Sequence, residues 1–311
     1  MSLTIKEKLA GCLYGYAVGD AMGLGTEFMS RDEARFRYPD GLRQYSDIYR
    51  DFHRSQFKPG EWSLDTELVL LLLENIIRNS GPDNMEYARE LQKTYADSMI
   101  DLESHLRWIV EDEDYTSHPY EVCERTWRAM ARQDAPNEAL GRALAVALLP
   151  GNPDKRVREN VSLTHFDPRC MSSAMIIGRV ANSLLHNDSE PEFDDLLAIC
   201  NEVDERTVEY LEKAHEGDLD WFDLDDEDTY WYARKTMGAA LWALWHAGSP
   251  EKALATIMAE GGDADTNAAL ALGLLGLKHG ISAIPAEAVD KLLGKERIDA
   301  VVEALDPLLA R

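Results

Sequence analysis

Apolar residues recur three and four positions apart along most of the chain, the spacing that lines one face of an α-helix. The pattern predicts helices over 5–22, about 64–78, 83–98, 119–133, 137–149, 169–186, 191–215, 229–247, 250–260, 266–278 and 284–294, with a terminal helix over 296–310. Alternation with a period of two is nearly absent, so the sequence predicts an all-α fold. Two stretches break the helical pattern. Residues 38–61 carry Pro39, Gly41, Pro59 and Gly60 and read as a long loop, a kind of segment that is often functional. Residues 216–229, EGDLDWFDLDDEDT, read as a solvated acidic loop, because the spacing and the glycine of an EF-hand calcium loop are missing.

The first predicted helix has an unusual feature. Gly11, Gly15 and Gly19 recur every four residues on one face. Each glycine costs helix stability relative to alanine, so the spacing predicts a close approach of another backbone.

Composition narrows the possible functions. The 311 residues carry 32 Lys and Arg against 57 Asp and Glu, a formal charge of −25. A chain this acidic lacks the basic footprint of a duplex-nucleic-acid binder. Cys12, Cys123, Cys170 and Cys200 lie far apart with no CxxC pair, which predicts reduced buried thiols and not a disulfide frame. No run approaches eighteen apolar residues and no signal-peptide pattern opens the chain, so no membrane association and a cytoplasmic location are expected.

Three polar clusters stand beside strongly apolar helices. VGDAMGLGTEF places Asp20 and Glu27 around a glycine-rich turn. WSLDT places Ser63, Asp65 and Thr66 before LVLLLL, and GGDADTN places Asp263, Asp265 and Thr266 before ALALGLLG. Any one cluster alone reads as a helix cap. A cap needs one residue, however, and carboxylates crowded at buried helix mouths repel one another unless a cation joins them. Asp, Glu, Ser and Thr oxygens suit Mg²⁺, Mn²⁺ or Ca²⁺ better than zinc or copper.

These segments resemble the signature motifs of the ADP-ribosylglycohydrolases. GCLYGYAVGDAMGLGTEF, WSLDT and GGDADTNAALALGLLG carry the resemblance. NEALGR at 137–142, LTHFDP at 163–168 and MGAALWALWHAGSPEKAL extend it in order along the chain. The resemblance implies a compact orthogonal helix bundle spanning 1–311 as a single domain, with one or two Mg²⁺ or Mn²⁺ ions. It implies Glu27, Ser63, Asp65, Asp263, Asp265 and Thr266 as metal ligands, Glu27 and Asp65 as catalytic carboxylates, and Asn137 and His165 as substrate contacts. The implied activity is metal-dependent hydrolysis of an N- or O-glycosidic bond in a small-molecule or protein-linked ADP-ribosyl substrate, or in a related nucleoside-like one.

The chain departs from the family pattern at four positions, one of which, Ser63 for Thr, keeps the hydroxyl. Leu64 stands where the family has a ligating Asp, Glu138 where it has Gly, and Gly141 where it has Met. Leu64 removes a ligand, and Glu138 adds negative charge where the ligand's phosphates are expected. The alternative to a hydrolase is therefore a module that binds ADP-ribose or a related nucleotide without cleaving it.

Overall fold

The computed structural model describes residues 3–97, 104–131 and 135–309. Sixteen α-helices form the framework among these residues, and no strand is present there. They are α1 (Ile5–Gly23), α2 (Arg31–Arg37), α3 (Leu64–Asn79), α4 (Asn84–Asp97), α5 (Ser104–Val110), α6 (Pro119–Ala129), α7 (Ala139–Ala147) and α8 (Asp154–Val161). They continue as α9 (Pro168–His186), α10 (Phe193–Val203), α11 (Val208–Glu216), α12 (Ala233–His246), α13 (Pro250–Glu260), α14 (Ala264–His279), α15 (Ala286–Lys291) and α16 (Lys295–Leu309). The all-α expectation holds.

Several boundaries differ from the sequence reading. The segment 191–215 is two helices parted by a 3₁₀ turn at Glu205–Thr207, where Asp204 turns its carboxylate onto the N–H of Arg206. The helix expected from 229 begins at Ala233, and the one expected over 284–294 shrinks to α15. The end expected near 98 falls on residues outside those described, and the helix expected to run to 133 stops at Ala129 with Met130 as its C-cap. Helices α2, α5 and α8 span only seven or eight residues, too few for a periodic signal.

The glycines of α1 set the centre of the fold. A Cβ on Gly11, Gly15 or Gly19 would lie 2.3–2.4 Å from the carbonyl oxygens of Gly276, Leu272 and Ala268, and one on Gly23 would lie 2.3 Å from the Asp265 Cα. The residue numbers rise on one helix as they fall on the other, so α1 and α14 run antiparallel in backbone contact. Helix α14 is buried at every position from Ala264 to Leu277. Each fully buried leucine there contributes about 2 kcal/mol of transfer free energy. This pairing carries the first turn of α14 to the last turn of α1, which brings two distant segments of sequence to one place.

A short backbone exchange fixes the join. Phe28 N–H donates to the Gly262 carbonyl (2.7 Å), and Gly262 N–H donates to the Met29 carbonyl (2.9 Å). Gly261 and Gly262 have φ of +72° and +65°, and a Cβ on Gly262 would strike the Leu224 carbonyl at 1.8 Å. The 216–229 loop is therefore partly an inner element. Phe222 and Leu224 are buried, Asp225 accepts the Arg31 N–H (2.7 Å), and the buried Lys235 donates to the Asp223 carbonyl (2.6 Å). Its exposed positions, Glu216, Asp218, Asp220, Asp223, Glu227 and Asp228, are the solvated acidic part expected of it.

Candidate active site

The first turn of α3 is held from α1. Asp20 accepts the backbone N–H groups of Ser63 (2.9 Å) and Thr66 (3.0 Å) and the Thr66 hydroxyl (2.6 Å). Ser63 is the N-cap of α3, and its hydroxyl accepts the Asp65 N–H (3.1 Å). These bonds spend Asp20 on capping and leave the Asp65 side chain to point elsewhere. The Oδ2 of Asp65 is shielded from solvent and has no hydrogen-bond partner. Burial and the charges of Asp20 and Asp263 push the Asp65 carboxyl well above the usual carboxylate range.

Asp263 is the N-cap residue of α14. Its carboxylate accepts hydrogen bonds from the Asn137 amide and from the Thr266 hydroxyl (3.0 Å). Asp265 is 5% exposed, and its Oδ1 has no partner. Oxygens of Glu27, Asp263 and Asp265 all lie within 4.8 Å of one another. Burial raises the pKa of all three, most strongly for Asp265, where the charges of Glu27 and Asp263 add to it. Three carboxylates this close, one with an orphaned oxygen, fit the oxygen ligand set of a hard divalent cation. The Thr266 hydroxyl donates within this cluster to Asp263, while the Ser63 hydroxyl is used in capping α3.

Glu27 is gripped from the 38–61 loop. His53 Nε2 donates to Glu27 Oε2 (2.6 Å), and the Arg54 guanidinium donates to the Glu27 and Gly25 carbonyls. The His53 ring lies between Phe28 (5.1 Å between centroids) and Phe57 (5.9 Å). Phe28, 50% exposed with φ of +60°, also meets Tyr230 at 5.6 Å. Neither His53 nor Arg54 was identifiable in the sequence. Each is a single residue in a loop, and its partner lies 26 or 27 positions away.

Asn137 and His165 are both 2% exposed and sit behind this cluster. Asn137 bridges Asp263 and the Thr236 hydroxyl (2.7 Å). Arg142 donates to Thr164, whose hydroxyl lies 2.8 Å from His165 Nδ1, while His165 Nε2 lies 2.9 Å from Glu138 Oε2. Burial, with the Arg142 charge beside it, holds the His165 pKa well below its usual value. A neutral ring protonated at Nε2 satisfies the whole chain: Thr164 donates to Nδ1 and Nε2–H donates to Glu138. Glu138 is thereby fixed close enough for its charge to act on Asp65 and Asp263. Leu64, at the first position of α3, is partly buried and packs against the apolar core.

Known proteins align with more than nine-tenths of the chain. The chain is 26% identical to an ADP-ribosylarginine hydrolase, Tri1, of Serratia proteamaculans (strain 568), covering 96% of this chain and 79% of that protein. It is 25% identical to the ADP-ribosyl-[dinitrogen reductase] glycohydrolase of Rhodospirillum rubrum, covering 93% and 91%. A solved structure described as an ADP-ribosylglycohydrolase-related protein complex superposes with a TM-score of 0.76 over 98% of both chains at 23% identity, which shows the shared fold. The ADP-ribosylglycohydrolase family model matches residues 1–311, and the chain belongs to that family.

Proposed function

We propose that this protein is a Mg²⁺- or Mn²⁺-dependent hydrolase of a single domain that cleaves the N- or O-glycosidic bond between ADP-ribose and its acceptor. The observation that carries the reading is the convergence of Glu27, Asp263 and Asp265, with the buried Asp265 Oδ1 left unbonded. The relatives named for ADP-ribosylarginine and for ADP-ribosyl-dinitrogen reductase support a protein-linked substrate. Four buried free thiols suit a reducing, cytoplasmic setting.

Glu27, Asp263 and Asp265 hold the cation in this reading, with Asp65 and the Ser63 and Thr266 hydroxyls at its edge. When bound, a divalent cation supplies positive charge that orients ribose hydroxyls and acidifies a water molecule. The chain's own groups manage the protons. In glycoside cleavage the bond from the anomeric carbon to the acceptor breaks through an oxocarbenium-like state, the acceptor gains a proton and water adds to the sugar. Carboxyls with raised pKa values suit both tasks, as acid while protonated and as base once ionised. Glu27 and Asp65 are the carboxyls assigned to them. Asn137 sets the orientation of Asp263, and His165 sets that of Glu138.

The packing of Leu64 and the position of Glu138 favour a second reading, in which the site binds an ADP-ribosyl group without turnover. Assays on ADP-ribosyl-arginine, ADP-ribosyl-serine and poly(ADP-ribose), each with Mn²⁺ or EDTA, separate the two. Release of ADP-ribose that requires Mn²⁺ supports the hydrolase. Calorimetric binding of ADP-ribose with no release from any substrate supports the binding module. Mn²⁺ should also raise the melting temperature of the wild type and leave an Asp263→Asn/Asp265→Asn variant unchanged, because a ligand stabilises only the state that binds it.

A further inference from the structure

The 38–61 loop touches Glu27 at two points, and they differ in kind. Arg54, 5% exposed and itself held by Asp51, clamps the backbone on either side of the side chain by binding the Gly25 and Glu27 carbonyls. That contact fixes where the residue stands, not where its carboxylate points. Among the described residues, His53 alone hydrogen-bonds the carboxylate, through Oε2 at 2.6 Å. Ring contacts with Phe28 and Phe57 restrict the imidazole.

Repulsion gives this bond work to do. Glu27 is 7% exposed and shares a space of 4.8 Å with Asp263 and Asp265. The nearer those charges are, the more a carboxylate on a flexible side chain gains by swinging away towards water. His53 opposes that motion with a donor aimed at one oxygen. It also determines which oxygen Glu27 can offer to a shared cation. We propose that His53 is a positioning residue of the cation site, acting through Glu27 as a fixed outer partner. The inference rests on the cation reading above and extends it to a residue of the loop.

The test is Mn²⁺ affinity measured by calorimetry on the full chain, with no dependence on turnover. Loss of an outer hydrogen-bond partner typically weakens metal binding by about 10–100-fold. His53→Ala should show a loss in that range with its melting temperature in EDTA close to wild type, since the side chain is 27% exposed. His53→Gln, which keeps an N–H donor of similar reach, should recover most of the affinity. His53→Asn, which is too short, should not. In a Glu27→Gln background, His53→Ala should add little further loss. Wild-type affinity in His53→Ala, or equal losses in the Gln and Asn variants, would overturn the proposal. A wild-type chain that binds no Mn²⁺ would instead overturn the cation reading, and this inference with it.

Discussion

Asp20 and Thr66 are joined twice, with one carboxylate oxygen accepting both the backbone N–H and the hydroxyl of the threonine. The other oxygen accepts the Ser63 N–H. A residue at the end of α1 thus serves as an external cap for α3, and the two helices that carry the site are tied before any cation is considered. Asp20→Ala leaves two amide groups at the mouth of α3 without this acceptor. Each unmet buried group costs about 1–3 kcal/mol, so a loss of about 3 kcal/mol is expected in urea unfolding. A loss under 1 kcal/mol would show that α3 caps itself.

The glycine ladder gives a sharper expectation. An alanine methyl at Gly15 would lie 2.4 Å from the Leu272 carbonyl oxygen, which is backbone and cannot rotate away. Helices α1 and α14 must separate to admit it. Gly15→Ala should cost 3 kcal/mol or more, in the upper range for overpacking (about 1–3 kcal/mol). Gly81→Ala is the control, because nothing lies within 4 Å of its added methyl. Equal stability of the two variants would mean that the interface yields without cost.

This ladder shows what the sequence made legible. Glycines four apart announced a close partner, and an all-round apolar α14 announced a buried one. The acidic clusters could then be read as meeting, because lone buried carboxylates are too costly. The register between the helices was not legible, since spacing on one helix does not choose its partner. Asp20 was visible as part of a cluster, but its use as the cap of α3 depends on that register. His53 and Arg54 left no signal at all. A loop has no period, and one donor placed by a tertiary turn looks like any other exposed histidine or arginine.

The acidic cluster also predicts how stability responds to pH. Asp65 and Asp265 are held well above the usual carboxylate range by burial and by neighbouring charge, and Glu27 and Asp263 are raised in the same direction. A raised folded-state pKa means that the folded chain binds more protons than the unfolded one between the two values. The associated stability is full below the unfolded value, at about pH 4, and is lost as pH rises through the raised values. Asp265→Asn removes one such charge. In EDTA it should match the wild type at about pH 4 and exceed it at about pH 7.5, by about 1–2 kcal/mol. Mn²⁺ should reverse that order at the higher pH by stabilising only the wild type. If the variant is no more stable than wild type at about pH 7.5 in EDTA, the carboxylates do not strain the metal-free fold.

Glu138 provides a test of ligand charge. Its carboxylate is held by His165 and acts on Asp65 and Asp263 from the entry of α7. A helix entry favours anions, and a fixed carboxylate there opposes them. Glu138→Gln keeps the shape and removes the charge. Affinity for ADP-ribose in the presence of Mn²⁺ should rise on the order of tenfold, the effect of one nearby charge at an intermediate dielectric. Calorimetry that finds unchanged affinity would place the diphosphate away from α7.

Leu64 is the remaining departure, and its packing states the terms of the experiment. The side chain lies partly buried against the core at the first position of α3. Leu64→Asp gives up apolar contact worth about 1–2 kcal/mol. A carboxylate in the first turn of a helix regains about 0.3–1 kcal/mol through the positive helix terminus. The variant should therefore fold with a modest loss in EDTA, and far-UV circular dichroism checks this first. With Asp65 next in sequence and Asp265 and Asp65 both holding unbonded buried oxygens, a further carboxylate adds a ligand where charge is already concentrated. In EDTA that charge should deepen the loss of stability at about pH 7.5 relative to about pH 4, through the same linkage. With Mn²⁺ the sign changes: affinity should tighten, a second equivalent should bind, and release of ADP-ribose from an ADP-ribosyl substrate should quicken. A folded Leu64→Asp chain that binds one equivalent no more tightly than wild type would show that Leu64 faces the core alone, and that the site is complete with the carboxylates it has.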